Sequence, residues 1–325
     1  MTIKNKKRFF KKVLSWSGLF FFGLAAYMIY RQLSKYSLED IKDAIIAIPR
    51  QNIVYACIAS FCGYIALSSY DFLALKYINH KIAAWKWIFA GFVGFAVSNN
   101  AGHAVVSGGA IRYRLYTRWR IPATDIVKMV TFSGFTYLVA CFFLVIIGYA
   151  FSPEHVLSSV SSQYVNWTIM NLSIAGLAFY IWGCIYYKKP IIIKDVEFDT
   201  PSWQMAIAQI LIGSVDILMA SLVLYFAMDS YIEIPFTTFM GAFIIAQLLG
   251  VYSQVPGGLG VFELVFTNLM PEDENQANLF AILVVYRIIY YLLPLIVSGI
   301  ALFIYEYKLI AEKSMRLLKR KNKQS

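Results

Sequence analysis

Four ionisable residues lie inside or at the edge of apolar runs, and a charge at the middle of a membrane helix costs roughly 2.5–3.5 kcal/mol on insertion scales, so each needs a chemical reason. Asp216 falls mid-run in Gly213-Ser214-Val215-Asp216, where solvation is not expected. Asp71 closes Ser68-Ser69-Tyr70-Asp71 and reads either as a solvated helix end or as a working group. Glu263 follows Pro256-Gly257-Gly258-Leu259-Gly260, and Arg287 sits in Tyr286-Arg287-Ile288-Ile289-Tyr290. A buried Arg needs an anion. Glu263 and Asp216 are the available side chains, which makes a structural ion pair; the other reading is that a lipid phosphate borrows the guanidinium, whose planar fork binds phosphate in bidentate fashion. Asp71 and Asp216 are therefore candidates for ion pairing or for coupling to ion movement.

Two polar strings interrupt apolar stretches: Ser98-Asn99-Asn100-Ala101-Gly102-His103 and Ser253-Gln254-Val255-Pro256-Gly257-Gly258. Their glycines allow close backbone approach, and half-helix N-termini beside them present amide dipoles to an anion. The plain alternative is that Gly, Asn and Ser only punctuate a helix break. His103 is either a hydrogen-bonded break residue or a proton shuttle. Arg112 and Arg114 begin a basic run interleaved with Tyr113, Tyr116 and Trp119, which fits a topology signal with an interfacial aromatic belt. Arg112 also follows Ser107-Gly108-Gly109-Ala110 closely enough to meet a headgroup entering from the inner leaflet. The candidate binding set is Ser98, Asn99, Asn100, His103, Arg112, Arg114, Ser253, Gln254, Gly257, Gly258, Glu263 and Arg287. It favours an anionic headgroup over a neutral sugar or a metal.

The elements that position these residues follow from composition. The chain is 59% hydrophobic and 14% charged, against roughly 25% charged in average globular usage, which excludes a water-soluble enzyme. Its net charge of +11 does not mark a nucleic-acid binder, because the basic residues cluster between apolar runs and read as membrane topology signals. Cys57, Cys62, Cys141 and Cys184 lie in apolar runs without metal or disulfide spacing, and no cofactor is expected. Histidines stand scattered at 80, 103 and 155, and neither a Gly-x-Ser-x-Gly nor a Gly-x-x-x-x-Gly-Lys-[Ser/Thr] string occurs, which argues against a hydrolase and against nucleotide-driven pumping.

Runs at 13–30, 52–75, 123–150, 166–187, 202–228 and 277–307 have the length of about 20 residues that crosses a bilayer, which predicts six full spans. The stretches 87–111 and 236–270 are the two interrupted ones. Cytoplasmic loops retain Lys and Arg. If both broken stretches return to their starting side, cytoplasmic segments hold 24 of the 29 basic residues and outside segments only those at 31, 35, 42 and 50; single crossings blur that separation. Both termini are then cytoplasmic. The first hairpin, at 25 residues, is expected to be re-entrant, and the second is either re-entrant or two full spans. The expected fold is an all-α polytopic membrane protein, a single domain in which residues 13–150 and 166–310 are inverted repeats and 311–325 a basic cytoplasmic tail. Ser37 to Ile48 should form a short amphipathic interfacial helix. Polar breaks at corresponding places of oppositely oriented halves are the pointer expected of a transporter with a midplane site.

The strings Ser98-Asn99-Asn100-x-Gly102-His103, Ser107-Gly108-Gly109-Ala110-Ile111-Arg112-Tyr113-Arg114-Leu115-Tyr116, Pro256-Gly257-Gly258-Leu259-Gly260-Val261-Phe262-Glu263 and Tyr286 to Pro294 resemble the transmembrane region of bacterial lysylphosphatidylglycerol synthase/flippases and of stand-alone membrane proteins built from that region. The resemblance implies a flippase module in the bacterial cytoplasmic membrane. It would move phosphatidylglycerol or its aminoacyl derivative between leaflets, giving resistance to cationic antimicrobial peptides, with a separate lipid-modifying synthase as a possible partner. Full-length members append a cytosolic aminoacyl-transferase domain, whereas this chain ends about 15 residues after its last span, so no transferase activity is expected. The alternatives are a membrane lipid-modifying enzyme and a small-solute secondary transporter.

Overall fold

The structure is a computed structural model that describes residues 48–101, 104–151, 163–193, 196–228, 234–253, 255–270 and 276–321, with Lys42 and Ile46. The run at 13–30, most of the connector 37–48, His103 and Gln254 lie outside the described residues. Helices α1 (Arg50–Tyr77), α2 (Ala84–Ala101), α3 (Ala104–Arg118), α4 (Ala123–Phe151) and α5 (Gln163–Tyr186) are followed by a ribbon of β1 (Ile191–Ile193) and β2 (Val196–Phe198). Then come α6 (Trp203–Met228), α7 (Phe236–Tyr252), a 3-10 turn (Pro256–Gly258), α8 (Val261–Leu269), α9 (Gln276–Arg287), a π turn (Ile288–Leu292) and α10 (Leu293–Lys321). Among the described residues, five segments are long and apolar enough to cross a membrane: Arg50–Tyr77, Ala123–Phe151, Tyr164–Tyr186, Trp203–Met228 and Ile282–Glu312. The protein is an all-α multi-pass membrane protein.

Both interrupted stretches fold back on themselves as antiparallel pairs. Ser98 lies against Gly108 and Gly94 against Arg112 in the α2–α3 hairpin; Phe239 meets Phe266 and Phe243 meets Phe262 in the α7–α8 hairpin. With 9 residues, α8 reaches only ~14 Å at 1.5 Å per residue, so it cannot cross a ~30 Å core. This removes the reading of the second stretch as two full spans. The arms of the first hairpin extend past the apolar run, with Lys86 in the outer part of α2 and Arg112 to Arg118 in the outer part of α3.

Two features depart from the expected run of plain helices. Ile191, Ile192 and Ile193 pair antiparallel with Phe198, Glu197 and Val196, a pattern of β-branched residues that favours strand over helix. The expected last span contains the π turn. Pro294 lacks the N–H that would bind the Tyr290 carbonyl four residues back, and its ring excludes that geometry; the Leu293 N–H accordingly bonds to Ile288, five residues back.

With lipid on the outside, helices associate through close packing more than through burial from water, which favours small residues at their contacts. A Cβ on Gly91 would stand 2.8 Å from the Ser68 Cα, and one on Gly213 would stand 2.5 Å from the Ala140 Cβ and 2.9 Å from the Thr136 carbonyl. The α1–α2 and α4–α6 contacts therefore need glycine. Gly213→Val is expected to lower stability by about 1–3 kcal/mol through overpacking, read as an earlier thermal transition of the purified protein in detergent.

Candidate functional site: a pair of joined hairpin tips

The two tips meet. A Cβ on Gly257 would lie 3.7 Å from the carbonyl oxygens of both Asn99 and Asn100 and from Arg287 Nη1, so the turn of the second hairpin rests on the end of α2. Gly257, Gly258 and Gly260 take φ of +62°, +62° and +82°, values that L side chains rarely adopt, which is why this turn is built from glycine. Between the tips is a cavity of about 50 Å³ lined by Ser98, Asn99, Gln247, Gly257, Gly258 and Tyr291, among others. Ligand pockets run to ~300–1,000 Å³, so the arrangement is closed to a headgroup. Two larger cavities among the described residues, of about 220 and 610 Å³, lie away from the tips with almost wholly apolar walls.

Arg287 ties the second tip to α9. Its Nε donates to Glu263 Oε1 at 2.8 Å, and Nη1 donates to the Gly257 carbonyl. Nη2 lies 2.7 Å from the same Glu263 oxygen but without hydrogen-bond alignment. The cation also packs against the rings of Tyr291 at 4.5 Å and Phe262 at 5.3 Å, contacts of cation–π type. Glu263 accepts the Gly260 N–H at Oε2, 2.7 Å, and so closes the first turn of α8 while it pairs with Arg287. Of the two anions available in the sequence, Glu263 is the partner and Asp216 is not.

Arg112 does the same for the first hairpin. Its Nε donates to both Asp71 oxygens, at 2.8 and 3.1 Å, and the Tyr116 hydroxyl donates to Oδ2 at 2.7 Å. Asp71 is 0% exposed, which overturns its reading as a solvated helix end. The guanidinium lies 4.2 Å from the centre of the Phe95 ring. It fits because Gly94 and Gly108 have no side chains: a Cβ there would stand 3.2 Å from Cζ and 3.1 Å from Nη1. Nη2 of Arg112 has no hydrogen-bond partner among the described residues. Arg114 does not face the tips; it pairs with Glu306 of α10 at 3.0 Å, a carboxylate shared with Arg118. Ser253 donates back to the Gly250 carbonyl at 2.7 Å and ends α7, so its hydroxyl serves the turn. The two polar strings also differ in backbone, since Ser98 to Ala101 are still helical whereas Ser253 is already past the helix end.

Asp216 lies apart from both arginines. It is 3% exposed, with the Tyr70 hydroxyl donating to Oδ2 at 2.9 Å and the Tyr290 hydroxyl to Oδ1 at 3.5 Å. The π turn supplies Tyr290, and its exposed backbone is satisfied from other helices: Ser60 donates to the Ile289 carbonyl, Tyr64 to that of Tyr290, and Asn100 to that of Tyr291. A polar backbone group left unpaired in hydrocarbon costs several kcal/mol, so these donors are part of what makes the π turn possible. Ser60, Tyr64, Tyr70, Tyr116 and Tyr290 do not stand out in the sequence, where Tyr and Ser occur throughout the spans. Pro294 inside an apolar run was the available signal.

Comparison with known proteins relates the chain to other membrane proteins. The chain is 31% identical over 294 residues to the uncharacterized protein slr0712 of Synechocystis sp., covering 89% of this chain and 90% of that one. It is 28% identical over 325 residues to inner membrane protein YbhN of Escherichia coli, covering 97% and 96%. With a phosphatidylglycerol lysyltransferase of Staphylococcus xylosus it shares 27% identity over 318 residues, 96% of this chain but 36% of that enzyme. The family model for the lysylphosphatidylglycerol synthase TM region matches residues 15–298, a stretch that takes in both hairpins, Asp71, Arg112, Glu263 and Arg287, and the chain belongs to that family.

Proposed function

We propose that the protein is a phospholipid translocator, moving an anionic or aminoacylated phospholipid such as lysylphosphatidylglycerol between leaflets of the cytoplasmic membrane. The observation that carries this reading is the junction of the two tips, where Arg287 holds the turn of one hairpin against the end of the other. The junction is compact and closed, so passage requires the hairpins to part. A headgroup phosphate entering there competes with Glu263 for a guanidinium whose fork suits either anion. Arg112, whose buried Nη2 has no hydrogen-bond partner among the described residues, offers a second anion contact on the opposite hairpin. The acyl chains stay in lipid, which lowers the barrier to carrying a charge through hydrocarbon. Residues 13–150 and 166–310 act as inverted halves, with the hairpins entering from opposite faces and both termini cytoplasmic. No transferase activity is assigned to this chain.

Reconstitution into vesicles with a leaflet-specific fluorescent phosphatidylglycerol tests the reading. Protein-containing vesicles should expose the probe to an external quencher faster than empty ones. Equal rates, with and without ion gradients, would remove the proposal, and solute uptake without lipid movement would favour a small-solute transporter.

A further inference from the structure

We propose that Asp216 is an exchangeable proton-binding site at the junction of the elements that anchor the two hairpins. The charged residues of α1 are Arg50, Asp71 and Lys76 and those of α4 are Asp125 and Lys128; Asp71 pairs with Arg112 and Asp125 with His80, and the side chains that hydrogen-bond Asp216 among the described residues are tyrosines. From α1, Tyr64 and Tyr70 face the carboxyl; from α4, Tyr137 and Cys141; and from the π turn, Tyr290. All are neutral donors or weak acids. Helices α5 and α7 contain no charged residue, α9 contains only Arg287, and that cation is committed to Glu263 and Gly257. No Lys, Arg or His among the described residues pairs with Asp216, in contrast to Asp71 and Glu263.

A carboxylate taken out of water without a cation is stabilised only by what hydrogen-bonds to it, and protonation removes the cost of the charge. Two tyrosine donors fit both forms: they hold a carboxylate, and one can rotate to accept when the carboxyl carries a proton. The binding step is the formation of one O–H bond on Asp216, with the proton supplied by the aqueous phase and returned to it. Close by, the Tyr64 hydroxyl donates to the Tyr290 carbonyl at 3.1 Å and so helps to hold the tyrosine that donates to Asp216.

What makes the site more than a buried acid is where its two tyrosine partners stand in the chain. Tyr70 precedes Asp71, which holds Arg112 of the first hairpin; Tyr290 lies three residues after Arg287, which holds the turn of the second. Binding a proton changes the pull of Asp216 on both tyrosines together, and hence on the two anchors. The coupling to lipid passage rests on the translocator reading, whereas the proton site itself does not.

Infrared difference spectroscopy between acid and alkaline buffer, on the intact protein in lipid nanodiscs, decides the site without transport. Wild type should show one protonated-carboxyl stretch more than Asp216→Asn, and Tyr70→Phe should shift its frequency. Superimposable wild-type and Asp216→Asn difference spectra would overturn the proposal, as would a frequency indifferent to Tyr70→Phe. In vesicles, a pH gradient should change wild-type lipid transfer severalfold and leave Asp216→Asn transfer unresponsive. A response to a sodium gradient in place of the pH gradient would overturn proton coupling. If wild type transfers no lipid while the infrared band behaves as expected, the translocator reading fails and the proton site stands.

Discussion

Arg287→Ala is expected to destabilise the protein by about 3–5 kcal/mol, because it strands Glu263, 4% exposed, as an uncompensated charge. It also frees the Gly257 carbonyl and so loosens the contact between the hairpins. Glu263→Ala should cost a similar amount, with the added loss of the bond that closes the first turn of α8. Loss of transport in either single variant would therefore not separate a headgroup contact from a collapsed site. The double variant Glu263→Leu/Arg287→Met does. Replacing a buried pair by apolar residues of similar size is often neutral or better for stability. Thermal melting should return to within about 1–2 kcal/mol of wild type, while lipid transfer in vesicles should stay at the level of empty vesicles. If the double variant recovers both, Arg287 is only a structural brace; if the single Arg287→Ala variant melts like wild type, the pair contributes nothing and the described anchor is wrong.

The second large effect is expected at the other hairpin. Arg112→Ala leaves Asp71 with the Tyr116 hydroxyl as its remaining side-chain donor, in a position no water reaches, for a cost again of about 3–5 kcal/mol. Since the pair joins α3 to α1, the loss should loosen the first hairpin before the rest of the bundle unfolds, as expected when an element loses a buried charged contact that ties it to its neighbours. A cysteine at Ser98, 5% exposed, reports this: a membrane-impermeant maleimide should label it slowly in the Ser98→Cys protein and many times faster when Arg112→Ala is added. Asp71→Asn should act in the same direction but less, because the guanidinium keeps its stacking on Phe95. Labelling rates indistinguishable between the two backgrounds would show that Arg112 does not anchor the hairpin.

Much of the architecture was legible in the chain because hydrocarbon imposes a length and a polarity on every crossing element. The runs expected at 52–75, 123–150 and 202–228 correspond to helices at 50–77, 123–151 and 203–228. The described helices α2 and α7 end at Ala101 and Tyr252, within and beside the polar strings at 98–103 and 253–258, since glycines and polar groups clustered inside apolar runs have few other uses. The β1–β2 ribbon is not marked in the sequence, because three isoleucines among lysines also suit the end of a span. The π turn is equally unmarked, because one proline in a long apolar run is compatible with a simple kink.

Which polar residues belong together was not decided by the sequence. Types and spacing marked Asp71, Arg112, Asp216, Glu263 and Arg287 as costly to bury, and so as residues with partners. They left Glu263 and Asp216 equivalent as anions for Arg287, and offered Arg112 to a headgroup. Pairing depends on distances between helices remote in the chain: 41 residues separate Asp71 from Arg112, and 146 separate Tyr70 from Asp216. Those distances are set by how closely glycine-lined helix faces approach, which no local pattern encodes. Only the packed structure gives each hairpin its own arginine–carboxylate pair, Arg112 with Asp71 and Glu263 with Arg287, and leaves Asp216 with tyrosine partners.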